Sequence, residues 1–232
     1  MAAASELNAS LAAAARSLQD QFGTQRTLER SVALATEILA GCDHAGVSIV
    51  RRGGGIDTPA ATDDLVREAD RLQYSTQEGP CLDAIWHHET VLSPNLAEET
   101  RWPHWAPHVH KDLGVASMLS FQLFTTKTTL GALNLYSDTV DGFDADDVSA
   151  GTFLAAHIAI ALAGSQNADD LHSAALSRTI IGQAQGILME RFDLRADEAF
   201  AVLRRVSQHS NTRVHQIAVE LISTRKTPGI ES

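Results

Sequence analysis

Hydrophobic and polar positions follow two different periods along this chain of 232 residues. Apolar residues recur at three- and four-residue steps over residues 5–22 and again over 24–40, and Gly41 follows the second run. Residues with this spacing share one face of a helix, and a glycine commonly follows a helix end. The first 41 residues therefore predict two amphipathic helices.

The middle of the chain predicts strands. AGVSIVRR is a short run bounded by glycines, and the segments Ser117–Thr125 and Leu130–Ser137 flank the connection TKTT, which predicts an antiparallel hairpin. Residues 56–75 are polar and are expected to cross the surface as irregular chain. The string QEGPCLDAIWHHE predicts a turn and then a helix with Pro80 in its first turn.

The remainder of the chain predicts helices. Aspartates begin a helix over residues 143–163, and its apolar part, 152–163, should be buried on more than one side. One side can cover the sheet, and we expect the other to meet a second copy of the chain. Three shorter amphipathic helices follow from Ala168. The fold class is α+β, with an antiparallel sheet flanked by helices and followed by a three-helix module.

Charge is distributed unevenly between the two parts. The net charge is −11, but residues 174–228 hold 8 basic and 5 acidic residues, whereas residues 1–173 hold 10 and 23. An acidic body with a mildly basic tail suits a tail that binds nucleic acid. We expect no membrane span and no secretion signal, and the distant Cys42 and Cys81 indicate a cytoplasmic chain with free thiols.

Two strings near the C-terminus, IGQAQGILMERF (181–192) and ADEAFAVLRRVSQHSN (196–211), resemble the ANTAR family. The matching positions are Gly182, Gln183, Ala184, Gly186, Met189, Glu190, Arg191, Glu198, Ala199, Phe200, Leu203, Arg204, Arg205, Ser207 and Gln208. The resemblance implies an RNA-binding module that engages paired stem-loops with six-nucleotide loops in nascent transcripts and prevents a terminator from forming. The chain departs from the family at Gln185, often a lysine there, and at Arg195, often a serine or threonine cap.

Guanidinium groups and short amides suit the phosphates and splayed bases of RNA loops. The candidate RNA contacts are Arg178, Gln183, Gln185, Arg204, Arg205, Ser207, Gln208, Asn211 and Arg213. Greatest weight falls on Arg204, Arg205 and Arg213, which flank the turn SQHSN. For any single arginine, the alternative is a solvated helix face. Ala184 lies on the apolar face of its predicted helix, which favours packing within the module. Gly186 lies in mid-helix, and its missing side chain favours close approach of another backbone.

Residues 28–164 resemble a GAF domain through EGPCLDAI, LGALNLYS and FDADD. This resemblance implies a sensor or dimerisation unit that takes an unidentified small molecule. We therefore expect a helical extension (1–23), a GAF-like domain (24–164), a linker helix (165–173) and an ANTAR module (174–228). The protein is expected to act as a homodimer that binds RNA, with no catalytic residue, no metal and no cofactor.

The candidate sensor pocket contains Cys81, Trp86, Trp102 and Trp105. Cys81 follows Pro80 at a helix start, a position that lowers a thiol pKa, so a redox role stands beside the alternative of a small buried residue. The dense histidines, His87, His88, His104, His108 and His110, raise a metal-binding or enzymatic alternative. The string WPHWAPHVH is expected to be irregular because two prolines interrupt it.

A DNA-binding regulator is the main rival to the RNA-binding interpretation. Three short helices can form a helix-turn-helix unit. The predicted third helix, residues 214–221, is however poor in side chains that read base pairs, and the turn before it lacks a glycine. The sequence therefore favours an RNA-binding antitermination regulator.

Overall fold

The computed structural model describes residues 2–51, 53–87, 90–126 and 128–226. The chain divides into two compact units, between Asn167 and Ala168. The elements in chain order are α1 (Ala2–Gln19), α2 (Thr24–Ile38), β1 (His44–Val50), β2 (Ile56–Ala61), α3 (Asp64–Thr76), α4 (Pro80–Trp86), β3 (Thr90–Ser93), α5 (Ala106–Leu113), β4 (Ser117–Phe124), β5 (Thr129–Ser137), α6 (Ala145–Phe192), α7 (Ala196–Ser210) and α8 (Val214–Thr224).

The N-terminal unit contains a five-stranded antiparallel sheet with strand order β2-β1-β5-β4-β3. The predicted hairpin is confirmed as β4 and β5, in which Phe121 lies opposite Leu133. Two strands were not predicted. Both are edge strands: β2 is mostly half-buried, and β3 has only four residues, so neither shows a clear alternation of apolar positions. The expectation that residues 56–75 form irregular chain is wrong, because they contain β2 and most of α3.

Helices cover both faces of the sheet, and the two faces differ in chemistry because side chains alternate along each strand. The outer face is apolar: Val47 of β1 and Leu133 and Leu135 of β5 share one core with residues of α1, α2 and α6. The inner face packs against α3, α4 and α5. Its buried polar residues are Ser48, Asp70, Gln73, Ser120 and Asn134.

The segment WPHWAPHVH contains a helix rather than irregular chain. Pro107 lies in the first turn of α5, where a missing backbone N–H removes no helical hydrogen bond. Gly114 ends the helix with φ 79°. The prolines therefore mark the start of α5 and do not prevent it.

Helix α6 has 48 residues and continues beyond the predicted end at residue 163, through the predicted linker 165–173. The Asp144 carboxylate caps its start by accepting the backbone N–H groups of Asp146 and Asp147 at 2.8 and 2.9 Å. Contrary to the sequence expectation, α6 is long and apolar enough to cross a membrane by length and composition alone. This is weak evidence for a span, because Leu154 and Ile158 are fully buried in the core of the unit.

The C-terminal unit forms its own core from three helical segments, as predicted. The buried residues are Ala184 and Leu188 of α6, Ala199 and Leu203 of α7, and Ile217, Ala218 and Leu221 of α8. The helical spacing of apolar residues also predicts Leu176 on this buried face, but Leu176 is 52% exposed. The packed part of α6 in this unit therefore begins after Leu176, at Ile180.

Candidate functional site

The turn between α7 and α8 is shaped by backbone geometry and by one serine. Asn211 has left-handed backbone (φ 51°), and its N–H donates to the carbonyl oxygen of Ser207. The Ser207 hydroxyl donates to the carbonyl oxygen of Thr212 at 2.6 Å. Asparagine tolerates the left-handed region better than most residues do. Ser207 and Asn211, both candidate RNA contacts, thus hold the turn between the two helices.

Exposed arginines surround this turn. Arg204 and Arg205 lie on α7, and Arg213 directly precedes α8. In the part of the chain that the structure describes, no carboxylate lies within ion-pairing distance of these three side chains or of Arg178 on α6. Arg195 differs, because its guanidinium lies 3.2 Å from Asp197. Positive charge that is available to an anion therefore lies around the turn and also at Arg178.

The glutamines among the candidate residues have different environments. Gln185 Nε2 donates to the carbonyl oxygen of Ala196 at 3.0 Å and so links α6 to the start of α7. Gln208 is exposed on α7, on the same side as Arg204, since the two are four residues apart. Gln183 lines a groove between α6 and α8. Gln185 thus has a structural partner within the C-terminal unit.

In the N-terminal unit, the buried polar residues of the inner face converge on one carboxylate. Asp70 of α3 is fully buried and accepts hydrogen bonds from five neutral side chains. The donors are Thr58 (2.7 Å), Ser48 (3.3 Å), Gln73 (3.2 Å), Asn134 (3.1 Å) and the Tyr136 hydroxyl. These side chains come from β1, β2, α3 and β5, so one carboxyl group ties four elements together.

Burial raises the pKa of Asp70 above its ordinary value of 3.8, although hydrogen bonds from Tyr136 and Thr58 favour the carboxylate. Tyr74 extends the network, since its hydroxyl lies 2.6 Å from Ser48 Oγ and 2.8 Å from Thr58 Oγ1. Sequence analysis missed this cluster. A usable signal was present, because Asp70 and Gln73 lie at helical spacing with Val66 and Ala69 on the buried stripe of α3.

Cys81 joins the same network and is not an activated thiol. Its Sγ donates to Ser48 Oγ at 3.2 Å and its backbone N–H donates to Gln73 Oε1 at 2.9 Å. Burial, followed by the nearby Asp70 charge, raises the pKa of Cys81 to about 12. The prediction of a lowered pKa at this helix start is wrong, because desolvation of the thiolate outweighs the effect of the seven-residue helix.

The predicted sensor pocket is partly assembled. Cys81, Trp102 and Trp105 belong to one buried core, and the two tryptophan rings meet edge to face at a centroid distance of 5.9 Å. The Trp105 indole donates to the carbonyl oxygen of Ala69 at 3.0 Å, in the helix that carries Asp70. Trp86 lies apart from this core and is 52% exposed.

The histidines of the metal-binding alternative have separate partners. His104 Nδ1 lies 2.6 Å from Glu78 Oε1, and His108 and His110 each approach a backbone carbonyl oxygen, at 3.1 and 3.0 Å. His88 lies outside the described residues. Among the residues that are described, no group of three His, Cys, Asp or Glu side chains is placed to hold a metal ion.

An apolar groove of about 490 Å³ lies on the N-terminal unit between α6 and the end of β4. Phe121 and Phe124 contribute from β4, and Thr152, Ala156 and Ile160 contribute from α6. The groove is therefore continuous with the outward face of α6, where Ile160 is 68% exposed.

Comparison with known proteins agrees with this division of the chain. The sequence model of the GAF domain matches residues 23–163, and that of the ANTAR domain matches residues 169–222. None of the curated protein sequences compared with the chain matches it significantly.

Similar solved structures share the fold over 70–87% of this chain, at low sequence identity. The GAF domain of a phosphoenolpyruvate-protein phosphotransferase from Coxiella burnetii has a TM-score of 0.56 at 14% identity, covering 71% of this chain and 96% of its own. The free methionine-R-sulfoxide reductase of Neisseria meningitidis has a TM-score of 0.52 at 16% identity, covering 70% and 91%. The photosensory core module of the Stigmatella aurantiaca phytochrome has a TM-score of 0.59 at 15% identity, covering 87% and 44%.

These identities show the fold alone, so the presence of a reductase assigns no activity to this chain. The expectation that the protein is not an enzyme stays a prediction. The GAF match extends over more than half of the chain, and the ANTAR match follows it directly. ANTAR domains imply RNA-binding antitermination, and GAF domains are sensory. The chain therefore belongs to the GAF domain family and has the GAF–ANTAR architecture of an RNA-binding antitermination regulator.

Proposed function

We propose that this protein binds paired stem-loops in nascent transcripts through its C-terminal helices, and that the bound stem-loops prevent a terminator from forming. The observation that carries the proposal is the group of exposed arginines, Arg204, Arg205 and Arg213, around a turn of defined shape. Guanidinium groups without acidic partners are available to phosphates and to base edges. Arg178, Gln208 and Asn211 complete the proposed contact surface, while Gln185 and Ser207 hold its shape.

We further propose that the protein acts as a homodimer, which brings two ANTAR domains to the two stem-loops. Support comes from the outward face of α6, where Phe153 is 59% and Ile160 is 68% exposed, seven residues apart. Residues 148–168 contain no Asp, Glu, Lys or Arg. Two copies of this face can therefore meet without charge repulsion, and large apolar side chains at coiled-coil spacing favour a helical partner.

The signal is proposed to act on the inner face of the GAF sheet, where Cys81, Trp102 and Trp105 share one core with the residues around Asp70. A small molecule that enters this core would alter the packing of the two indoles. Tryptophan fluorescence of the full chain is therefore a direct readout for ligand screening.

A binding selection tests the function. The full chain is mixed with a pool of RNAs that carry two tandem stem-loops with randomised six-nucleotide loops, and with duplex DNA of equal length at the same salt concentration. We expect enrichment of two-hairpin RNAs that compete against the duplex, and weaker binding when one hairpin is deleted. Preference for duplex DNA would instead favour a DNA-binding regulator and contradict the proposal.

A further inference from the structure

A groove of about 540 Å³ lies within the C-terminal unit, between the last turns of α6 and the end of α8. Ile187 and Ile222 form its apolar part and are half-buried. Its volume lies within the range of roughly 300–1,000 Å³ that is typical of small-ligand pockets. The groove is separate from the arginines of α7, since none of them lines it.

The polar groups at the groove suit a base together with its adjoining phosphate. Gln183, Glu190, Arg191 and Arg225 line it together with the isoleucines, and Arg191 already has a partner within the protein. The Glu190 carboxylate repels an anion but accepts hydrogen bonds from the amino and imino groups of a base. The Gln183 amide can both donate to and accept from a base edge, and the Arg225 guanidinium can stack on the ring or hold the adjoining phosphate.

Gly186 opens the groove on the α6 side. A Cβ placed on this residue would meet no atom within 4 Å, and the same holds for Gly182 one turn earlier. Packing within the unit therefore does not require glycine at position 186, although glycine weakens a helix interior relative to alanine. At a groove wall, a missing side chain lets a flat ring approach the helix backbone.

We propose that this groove binds one unstacked base of the RNA loop, and that Glu190 and Gln183 read an amino-bearing edge of that base. The inference rests on the proposed RNA-binding function and adds a second contact region to the arginines of α7. The arginines hold the phosphates, whereas the groove holds a base, so the two regions contribute differently to binding.

Graded substitutions at the two glycines test the groove. Gly186→Ala and Gly186→Leu are expected to maintain or raise the melting temperature of the full chain, because both residues are better helix formers than glycine. The leucine is expected to weaken binding to the selected two-hairpin RNA by about tenfold or more, since overpacking a close contact is unfavourable. Gly182→Ala and Gly182→Leu are the matched controls, with the same helix effect outside the groove.

A loop series identifies the base. Each of the six loop nucleotides is made abasic in turn, and affinity is measured for the native chain and for Gly186→Leu. We expect one position whose removal weakens the native chain but has no further effect on the variant, because the two changes remove the same contact. Additive losses at every position, or equal losses from the Gly182 and Gly186 variants, would overturn the groove proposal. If the native chain binds no RNA, the proposed function itself fails.

Discussion

Asp70 is the residue on which the inner face of the GAF sheet depends. A buried carboxylate without a cationic partner is stable only if its oxygens receive hydrogen bonds, and five side chains supply them here. The same arrangement ties Cys81 into the network through Ser48. The thiol is therefore part of the polar core and behaves as a small packed residue.

Replacement of Asp70 is expected to destabilise the fold strongly. Asp70→Ala leaves several buried donors without an acceptor, so the free energy of unfolding should fall by about 3 kcal/mol or more. Chemical denaturation followed by circular dichroism measures the change. Asp112→Ala removes an exposed carboxylate and should change stability by less than about 0.5 kcal/mol. A loss from Asp70→Ala as small as that of the control would show that the network contributes little.

Glu99 fixes the loop between β3 and α5, which carries Trp102. Its carboxylate accepts from the Ser93 hydroxyl at 2.7 Å and from the Arg101 backbone N–H at 2.9 Å. Burial raises the pKa of Glu99, but the hydrogen bonds from Arg101 and Ser93 outweigh it and lower the pKa to about 2. Arg101 also covers the Trp102 ring at 4.2 Å, so the pair positions an indole of the inner core.

The lowered pKa predicts acid sensitivity. Stability contributed by Glu99 is present above its ordinary pKa of 4.5 and is lost as the pH falls towards about 2. We expect the native chain to lose more unfolding free energy over this interval than Glu99→Gln does. Glu98→Gln, an exposed neighbour, should follow the native chain. Parallel curves of unfolding free energy against pH for the native chain and Glu99→Gln would contradict the assignment of this acid sensitivity to Glu99.

At the scale of elements, α6 is the helix that both units share. Its early residues bury Leu154, Ile158 and Leu162 in the GAF core, and its last turns bury Ala184 and Leu188 among the ANTAR helices. No proline lies between residues 145 and 192, so the backbone hydrogen bonds continue through both parts. The outward face of the early part leaves Phe153 and Ile160 exposed.

Charge placed on this outward face should separate the proposed dimer. The double variant Phe153→Glu/Ile160→Glu introduces four like charges into a symmetric interface, so we expect a monomer by analytical ultracentrifugation at concentrations where the native chain is dimeric. Ala97→Glu adds an acid at an exposed position outside α6 and should leave the oligomeric state unchanged. A native chain that is monomeric, or a double variant that stays dimeric, would rule out this face as the interface.

At the scale of the whole molecule, the net negative charge is carried by the N-terminal unit: residues 1–167 hold 10 basic and 21 acidic residues, whereas residues 168–232 hold 8 of each. The acidic N-terminal part repels nucleic acid, so RNA affinity must come from contacts on the ANTAR helices. Electrostatic contacts to phosphates release counterions, so the salt dependence of binding measures how many phosphates the protein neutralises.

Removal of the α7 arginines should therefore change the salt dependence of RNA binding. We expect Arg204→Gln/Arg205→Gln to weaken binding and to reduce the slope of log K against log salt by about 0.7–0.9 for each phosphate that the variant no longer neutralises. Arg26→Gln, an exposed arginine of the GAF unit, should leave both quantities unchanged. An unchanged slope in the double variant would place the phosphate contacts elsewhere.

Local periodicity was sufficient to predict the elements that bury either one face or all of their faces against a core. The hairpin of β4 and β5, the amphipathic α2 and the three C-terminal helices all bury regularly spaced apolar residues, and the ANTAR strings are long enough to identify their family. Helices α3 and α5 were missed because their buried faces include polar residues and a proline. The edge strands β2 and β3 were missed because their residues show no clear alternation of apolar positions. Only hydrogen bonding to a neighbouring strand identifies them as strands.

The sequence by itself thus determined the division into an α+β part and a helical part, the family of each, and the excess of basic over acidic residues within 174–228. Only the tertiary structure decided which polar residues are buried together, because Ser48, Asp70 and Asn134 are far apart in the chain and meet only when the sheet and α3 pack. It likewise decided that the Cys81 thiol is desolvated and that Gly186 faces open space. Burial and proximity arise from the packing of distant segments, and local sequence patterns do not contain them.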